Sequence, residues 1–232
     1  MVGLKVAAVI FMLLVSCGTP GNTRAVSATS NTYEHVARGV SRAVRMSRDS
    51  AVQVRSHTES GVAVGGSGAY VTYQGKHFVL TAAHVVVETP VAMVVSGEEA
   101  IMAKVVYLDE VTDIAVLKIE GMFSRQPLSW TTSKPGIGEE VIYTGFPNGY
   151  QNVTIMGHVS GQSGGNMLLH SYAWSGASGS VILDQRGRIV GILSAVDVGT
   201  AFGPIPQVVE DVVIAVPISK LKIDRLIHLL DN

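Results

Sequence analysis

Cysteine is almost missing: Cys17 is the only one in 232 residues. One thiol forms no internal disulfide and builds no thiolate zinc cage, so the fold must rest on apolar packing. Charge is scarce too. Asp, Glu, Lys and Arg make up 15% of the chain and sum to −1, which removes any bulk electrostatic basis for holding nucleic acid. No apolar run approaches the ~20 residues of a membrane-spanning helix. With 47% hydrophobic residues, the chain is also far from the low-hydrophobicity, high-charge composition of disorder.

The longest apolar run, Val6–Val15, follows Lys5 and ends in Leu14-Val15-Ser16-Cys17. A basic start and a short apolar middle fit a secretory signal. The last four residues resemble the lipobox of bacterial lipoproteins. The resemblance implies cleavage before Cys17 and acylation of that residue, leaving the protein lipid-anchored in the bacterial cell envelope and facing the periplasm or exterior. Two or more acyl chains hold stably where one does not. The plainer alternative is an ordinary signal peptide with a chance Cys. From Gly18 to Asn31 the chain is rich in Gly, Ser, Thr and Ala and reads as a flexible tether. Tyr33, Val36, Val40 and Val44 then recur at helical spacing, with Arg38, Arg42 and Arg45 on other faces, which predicts a short amphipathic helix. Its arginines form either a solvated face or a contact to anionic lipid.

From Ala51 the pattern changes to short β-branched runs. Ala51–Arg55 alternates, Ser67–Tyr73 and His77–Thr81 flank a Gln74-Gly75 turn, and further strands are expected at Val91–Val95, Met102–Tyr107, Ile114–Ile119, Val141–Thr144, Val153–Val159, Met167–Tyr172, Ser180–Leu183, Ile189–Ala195 and Val212–Val216. Asp184–Gly187 is a second tight-turn sequence. Only Ile223, Leu226, Ile227 and Leu230 return to helical spacing. Many short strands with almost no helix predict an all-β sandwich or barrel. Gly121–Pro127 breaks the pattern and reads as a link between two halves.

Three segments carry chemistry. Phe78–Val86 ends a strand with His84, Thr112–Ile119 opens one with Asp113, and Ser175–Leu183 sets Ser178 among small residues before a strand. A serine hydroxyl is a poor nucleophile at neutral pH; an imidazole takes its proton and passes it to the leaving amine. A buried carboxylate fixes the imidazole tautomer and stabilises the imidazolium. Gly176 and Gly179 leave the turn unobstructed, so the Gly176 and Ser178 N–H groups are free to face a developing oxyanion, where one donor is worth about 2.7–4 kcal/mol. No metal or cofactor is required.

These motifs, with Gly66-Ser67-Gly68, Gly145-Phe146-Pro147-Asn148-Gly149 and Gly187–Ile192, resemble those of chymotrypsin-fold serine endopeptidases, in particular the bacterial HtrA-type and staphylococcal glutamyl-endopeptidase branches. The resemblance runs from about Ala51 to Leu230. It implies two six-stranded antiparallel β-barrels with a cleft between them: residues 51–125 carrying His84 and Asp113, and residues 126–232 carrying Ser178 and a short C-terminal helix, after a signal peptide (1–16) and a tether with helix (17–50). It also implies that Ser194 hydrogen-bonds the triad carboxylate and that Ala195 and Val196 pair with the backbone of a protein or peptide substrate. Tyr172 stands where trypsin-like enzymes carry a pocket carboxylate, which argues against cleavage after Lys or Arg. Nearby His170 is either a ligand for an acidic side chain or a strand residue with a satisfied ring. Two departures stand out: Ala177 replaces the usual Asp or Asn before the nucleophile, and Ser180-Val181 replaces Gly-Pro after it. Only a short helix is expected after Pro217, with no PDZ-like domain.

Other readings remain beside this one. Asp109 and Asp184 are rival acids in turns, and Ser175 and Ser180 are rival hydroxyls. The other histidines lack metal-ligand spacing. Trp130 and Trp174 are core or cleft-wall residues. An α/β-hydrolase would run Ser, Asp, His in sequence, and Ser180 breaks its Gly-x-Ser-x-Gly elbow. A trypsin-fold binding or adhesion module without turnover, or a proenzyme cut near Ser50, would keep the same motifs.

Overall fold

The computed structural model describes residues 41–199 and 207–231. Cys17, the apolar run before it, the tether and the Tyr33–Val40 part of the expected helix lie outside the described residues.

Six strands form the first barrel: β1 (Ala51–His57), β2 (Ala63–Tyr73), β3 (Lys76–Thr81), β4 (Val91–Ser96), β5 (Glu99–Asp109) and β6 (Ile114–Ile119). They pair antiparallel in the order β1-β4-β5-β6-β3-β2, and β2 returns to β1 to close the ring. Closure removes every edge from these six strands. The β2–β3 hairpin turns at Gln74 and Gly75, whose φ values of 48° and 76° give the right-twisted two-residue turn that such hairpins favour. The expected break near Gly121–Pro127 leads into a two-residue strand, β7 (Leu128–Ser129), which lies parallel to β2. It is too short to register as a sequence pattern.

The second barrel comprises β8 (Glu140–Gly145), β9 (Val153–Ser163), β10 (Asn166–His170), β11 (Val181–Asp184), β12 (Ile189–Gly199) and β13 (Gln207–Pro217), closed in the order β10-β13-β12-β11-β8-β9. The two closed six-stranded antiparallel barrels expected from the sequence are present, and a C-terminal helix, α2 (Ile223–Asp231), follows them. Leu226 and Leu230 of α2 are buried in the same apolar cluster as the first barrel's core.

β11 explains how the barrels meet. All four of its residues are buried, so it shows no polar alternation. Ile182 points into the second barrel with Tyr143, Leu169, Leu193 and Val213. Its neighbours Val181 and Leu183 join Ile189, Ile192 and Val216 in the cluster that includes the first barrel's Val54, Leu80 and Leu117. The loop that precedes β11 therefore lies at the seam.

Of the first expected helix only the part from Ser41 onward is described. Among the described residues α1 spans Arg42–Ser50, N-capped by the Ser41 hydroxyl, which accepts from the Val44 N–H at 3.3 Å. Apolar spacing does not set it. Its buried residues are Ala43, Ser47 and Ser50, a stripe of small side chains that lets the helix approach the second barrel closely. Ser47 donates to Thr144 Oγ1 at 2.8 Å, and Arg48 donates to the Asn152 carbonyl (2.6 Å) and Thr154 Oγ1 (2.9 Å). Arg48 is thus spent on the protein, and the stripe of small residues offered no apolar period to read.

Leu183 is fully buried between the barrels. Leu183→Ala is expected to destabilise the protein by about 2–5 kcal/mol, the usual cost of a large-to-small core change, measured as a lower denaturant midpoint at unchanged slope.

Candidate active site

β3 and β6 are antiparallel neighbours with Thr81 opposite Ala115. That register carries the residues just beyond β3 toward those just before β6. His84 sits in the 3₁₀ turn Ala83–Val85 that follows β3, and Asp113 immediately precedes β6. Asp113 holds φ +56°, a left-handed conformation that Asp tolerates better than most residues and that recurs where function over-determines the backbone. The His84 Nδ1 lies 3.0 and 2.9 Å from Asp113 Oδ1 and Oδ2, and the His84 backbone N–H donates to Oδ1 at 3.0 Å. The imidazole is 47% exposed, whereas the carboxylate is only 20% exposed.

A third donor reaches Asp113 from the other barrel. Between Leu193 and Ala195 the pairing of β12 with β13 shifts by one residue, a bulge that leaves Ser194 unpaired and re-aims its side chain. The Ser194 hydroxyl donates to Asp113 Oδ2 at 2.5 Å. Burial alone pushes the Asp113 carboxyl up, but the His84 ring, by hydrogen bond and charge, the Ser194 hydroxyl and the His84 amide together outweigh it. They hold the carboxyl below the usual range for an Asp.

Ser178 lies in the loop before β11. The antiparallel pairing of β11 with β12 brings this loop beside the bulge: Gly179 N–H donates to the Leu193 carbonyl at 2.8 Å, and the Ser178 hydroxyl donates to the Ser194 carbonyl at 3.5 Å. Ser194 thus touches Asp113 through its hydroxyl and Ser178 through its carbonyl. Among the described contacts, the Ser178 hydroxyl makes no hydrogen bond to the His84 ring.

The turn around Ser178 needs its glycines. Gly176 (φ +91°) and Gly179 (φ +87°) both lie in the left-handed region. A Cβ on Gly179 would overlap the Ser67 carbonyl and the Thr81 hydroxyl, and one on Gly176 would stand 2.8 Å from the Phe146 carbonyl. Among the described contacts neither the Gly176 N–H nor the Ser178 N–H has a protein acceptor.

The remaining candidates sort by position. Tyr172 is 58% exposed and stacks on the half-exposed Trp174, with ring centroids 6.3 Å apart. Its backbone carbonyl accepts from the Tyr143 hydroxyl. Trp174 is therefore no core residue, while Trp130 packs beside Tyr73 and Phe78 of the first barrel. Ala195 and Val196 continue β12 beyond the bulge, opposite Ile214 and Val213. His170, exposed at the end of β10, stands 4.0 Å from Asp211. The rival acids hold turns instead. Asp109 accepts the Val111 and Thr112 N–H groups at 3.0 and 3.2 Å. Asp184 binds the Arg186 and Arg188 N–H groups, the Arg188 guanidinium and the Ser133 hydroxyl. Among the described residues no group of His, Cys, Asp and Glu is arranged to hold a metal ion. Sequence reasoning gave no role to Ser67, whose backbone N–H donates to the Ser178 carbonyl at 2.8 Å. Its only signal was its place between two glycines.

Comparison with known proteins agrees with this architecture. Curated relatives include a putative serine protease HhoA of Synechocystis, 31% identical over 60% of this chain and 38% of its own length. A probable periplasmic serine endoprotease DegP-like of Pseudomonas putida is 30% identical over 56% of this chain and 29% of its own. The chain thus spans about a third of the length of the curated relatives it matches. In fold it is similar to the serine endoprotease of Yersinia pestis (TM-score 0.65, 23% identity, 82% of this chain and 66% of that one). It is equally similar to the Rv3671c protease of M. tuberculosis in its active form (TM-score 0.65, 19% identity, 77% and 80%). Residues 60–192, more than half of the sequence and reaching from β2 into β12, match the trypsin-like peptidase domain, and the chain belongs to that family.

Proposed function

We propose that the protein is a serine endopeptidase in which Ser178 is the nucleophile, His84 the general base and acid, and Asp113 the residue that orients His84. The reading is carried by one observation: a single residue, Ser194, joins the His84–Asp113 pair of one barrel to the Ser178 loop of the other. With Nδ1 turned to the carboxylate, Nε2 of the half-exposed imidazole is the nitrogen left for proton transfer. A substrate strand adds along Ala195–Val196, beside the Tyr172–Trp174 stack. Ser178 Oγ attacks the peptide carbonyl carbon as its proton passes to His84 Nε2. The carbonyl π pair moves to oxygen, where the Gly176 and Ser178 N–H groups receive it. Collapse expels the amine, which takes the proton from His84, and leaves the acyl-enzyme. Water then attacks the acyl carbonyl as its proton passes to His84 Nε2, and collapse expels Ser178 Oγ, which takes that proton back and frees the carboxylic acid product. The lack of a carboxylate at Tyr172 disfavours a basic side chain before the cleaved bond.

The same proposal places the protein in the bacterial cell envelope, held to a membrane by acylated Cys17. Metabolic labelling with palmitate is expected to mark the protein from Cys17 onward and to be lost in Cys17→Ala.

A fluorophosphonate is expected to label the wild type at Ser178, read by mass spectrometry, and to leave Ser178→Ala unlabelled. An unlabelled but folded wild type would instead identify a trypsin-fold binding protein. Asp113→Asn is expected to lower kcat by about 10⁴-fold, as loss of the orienting carboxylate does elsewhere.

The depressed Asp113 carboxyl also makes a stability statement. Its pairing is fully felt above the unfolded-chain pKa of about 3.9 and is lost as pH falls through the lower folded value. The difference in unfolding free energy between wild type and Asp113→Asn should therefore shrink on acidification below about pH 4, followed by denaturant titration.

A further inference from the structure

We propose that Ser67 is a positioning residue for the oxyanion site: its hydroxyl, aided by the Asn148 backbone N–H, fixes the peptide planes ahead of Ser178 so that two N–H groups face the substrate carbonyl. The inference rests on the endopeptidase reading above.

The three peptide units before and at the nucleophile are each anchored by their carbonyl oxygen. The Ser175 carbonyl accepts from the Asn148 N–H at 2.7 Å, and the Ala177 carbonyl accepts from the Ser180 N–H at 3.0 Å. In a trans peptide the C=O and N–H point in opposite directions. The Gly176 and Ser178 N–H groups are thereby turned away from those anchors, and neither has a protein acceptor among the described contacts. The unit between them, Gly176–Ala177, is held at both ends: its carbonyl accepts from the Ser67 hydroxyl at 2.7 Å and its N–H donates to the Trp174 carbonyl at 2.9 Å.

Ser67 is fully buried on β2, and every polar atom it has is engaged. Its hydroxyl also accepts from the Phe146 N–H at 2.9 Å. Its own N–H reaches the Ser178 carbonyl at 2.8 Å, and its carbonyl accepts from the Thr81 hydroxyl at 2.7 Å. One hydroxyl thus ties the first barrel to both the Phe146–Asn148 segment and the nucleophile loop. Such a tie is needed because glycine at 176 lets the flanking peptides rotate at little steric cost. Asn148 is itself held at φ +50°, an unusual conformation for a residue with a side chain. Without the Ser67 hydroxyl, the Gly176 carbonyl and the buried Phe146 N–H both lose their partner. Rotation of the Gly176 peptide unit then becomes favourable, and it carries the oxyanion donors with it.

The test measures fluorophosphonate labelling kinetics of the full chain, since the phosphonyl oxygen occupies the oxyanion position. In Ser67→Ala the maximal labelling rate is expected to fall by about tenfold or more, toward the ~10²–10³-fold cost of deleting an oxyanion donor. The probe concentration for half-maximal rate should stay within about twofold. A purely structural role would not split the two constants. A folded Ser67→Ala protein, by circular dichroism and denaturation midpoint, that labels at the wild-type rate overturns the proposal, as does one in which only probe affinity changes. Should Ser67→Ala not fold, Ser67→Cys keeps the branching with a somewhat larger atom and substitutes a weak S–H donor. A slower maximal rate at unchanged probe affinity supports the proposal there, and a wild-type rate overturns it. Failure of the underlying reading is a separate result, in which the wild type itself is not labelled.

Discussion

A carboxylate brought to the seam between two apolar barrels must find partners, and Asp113 finds them on both sides. Removing an ionised carboxyl from water costs several kcal/mol unless donors replace the lost hydration. Here the replacements are the His84 ring, the His84 amide and the Ser194 hydroxyl. Two belong to the turn after β3 and one to the bulge in β12, so the full set exists only when the barrels are docked. The paired charge therefore depends on the docking of the two barrels. Its net downward shift, against burial, shows which contribution prevails.

The same seam explains why the Ser178 loop is rich in glycine yet does not wander. Backbone runs very close to its neighbours there: added Cβ atoms at Gly66 and Gly145 would meet the Val85 side chain and the Ser180 and Ser67 hydroxyls, and one at Gly179 would meet the Ser67 carbonyl. Only glycine permits that approach, and its conformational freedom must then be removed by other means. Packing removes part of it, through the fully buried Ala177 amid Tyr143, Ile182 and Leu193. Hydrogen bonds from three directions remove the rest. Space comes from what the loop lacks, and order comes from what surrounds it.

Short β-branched apolar runs made most of the strands legible, more than strict alternation did, because several strands are buried on both faces. Ile114–Ile119 was found to the residue. Strand ends were less legible: β5 and β9 run on through Glu99 and Ser163, where pairing continues past the apolar pattern. The described helix α1 carried little apolar signal for another reason, since it is fixed by a cap and by polar docking. The candidate site was legible residue by residue, as His84, Asp113 and Ser178 each sit beside a recognisable strand. Its connections were not. A bulge that turns Ser194 toward Asp113, a left-handed Asp113 and a hydroxyl bridge from Ser67 all depend on register between strands far apart in sequence, which no local pattern encodes.

Ala177 gives the departure from the family pattern a physical meaning. A buried carboxylate at that position would require a cation, and a newly freed amino terminus is one such cation. The methyl of Ala177 requires none, and its apolar neighbours would penalise an ammonium brought among them. At the other end of that argument, Ala51 is 1% exposed and paired with Ala69, directly continuous with α1. A cut near Ser50 would have to strip a docked helix and would release an amine with no acid at position 177 to meet. The order of the Ser178 loop is therefore supplied from the side, by Ser67 and the Phe146–Asn148 segment.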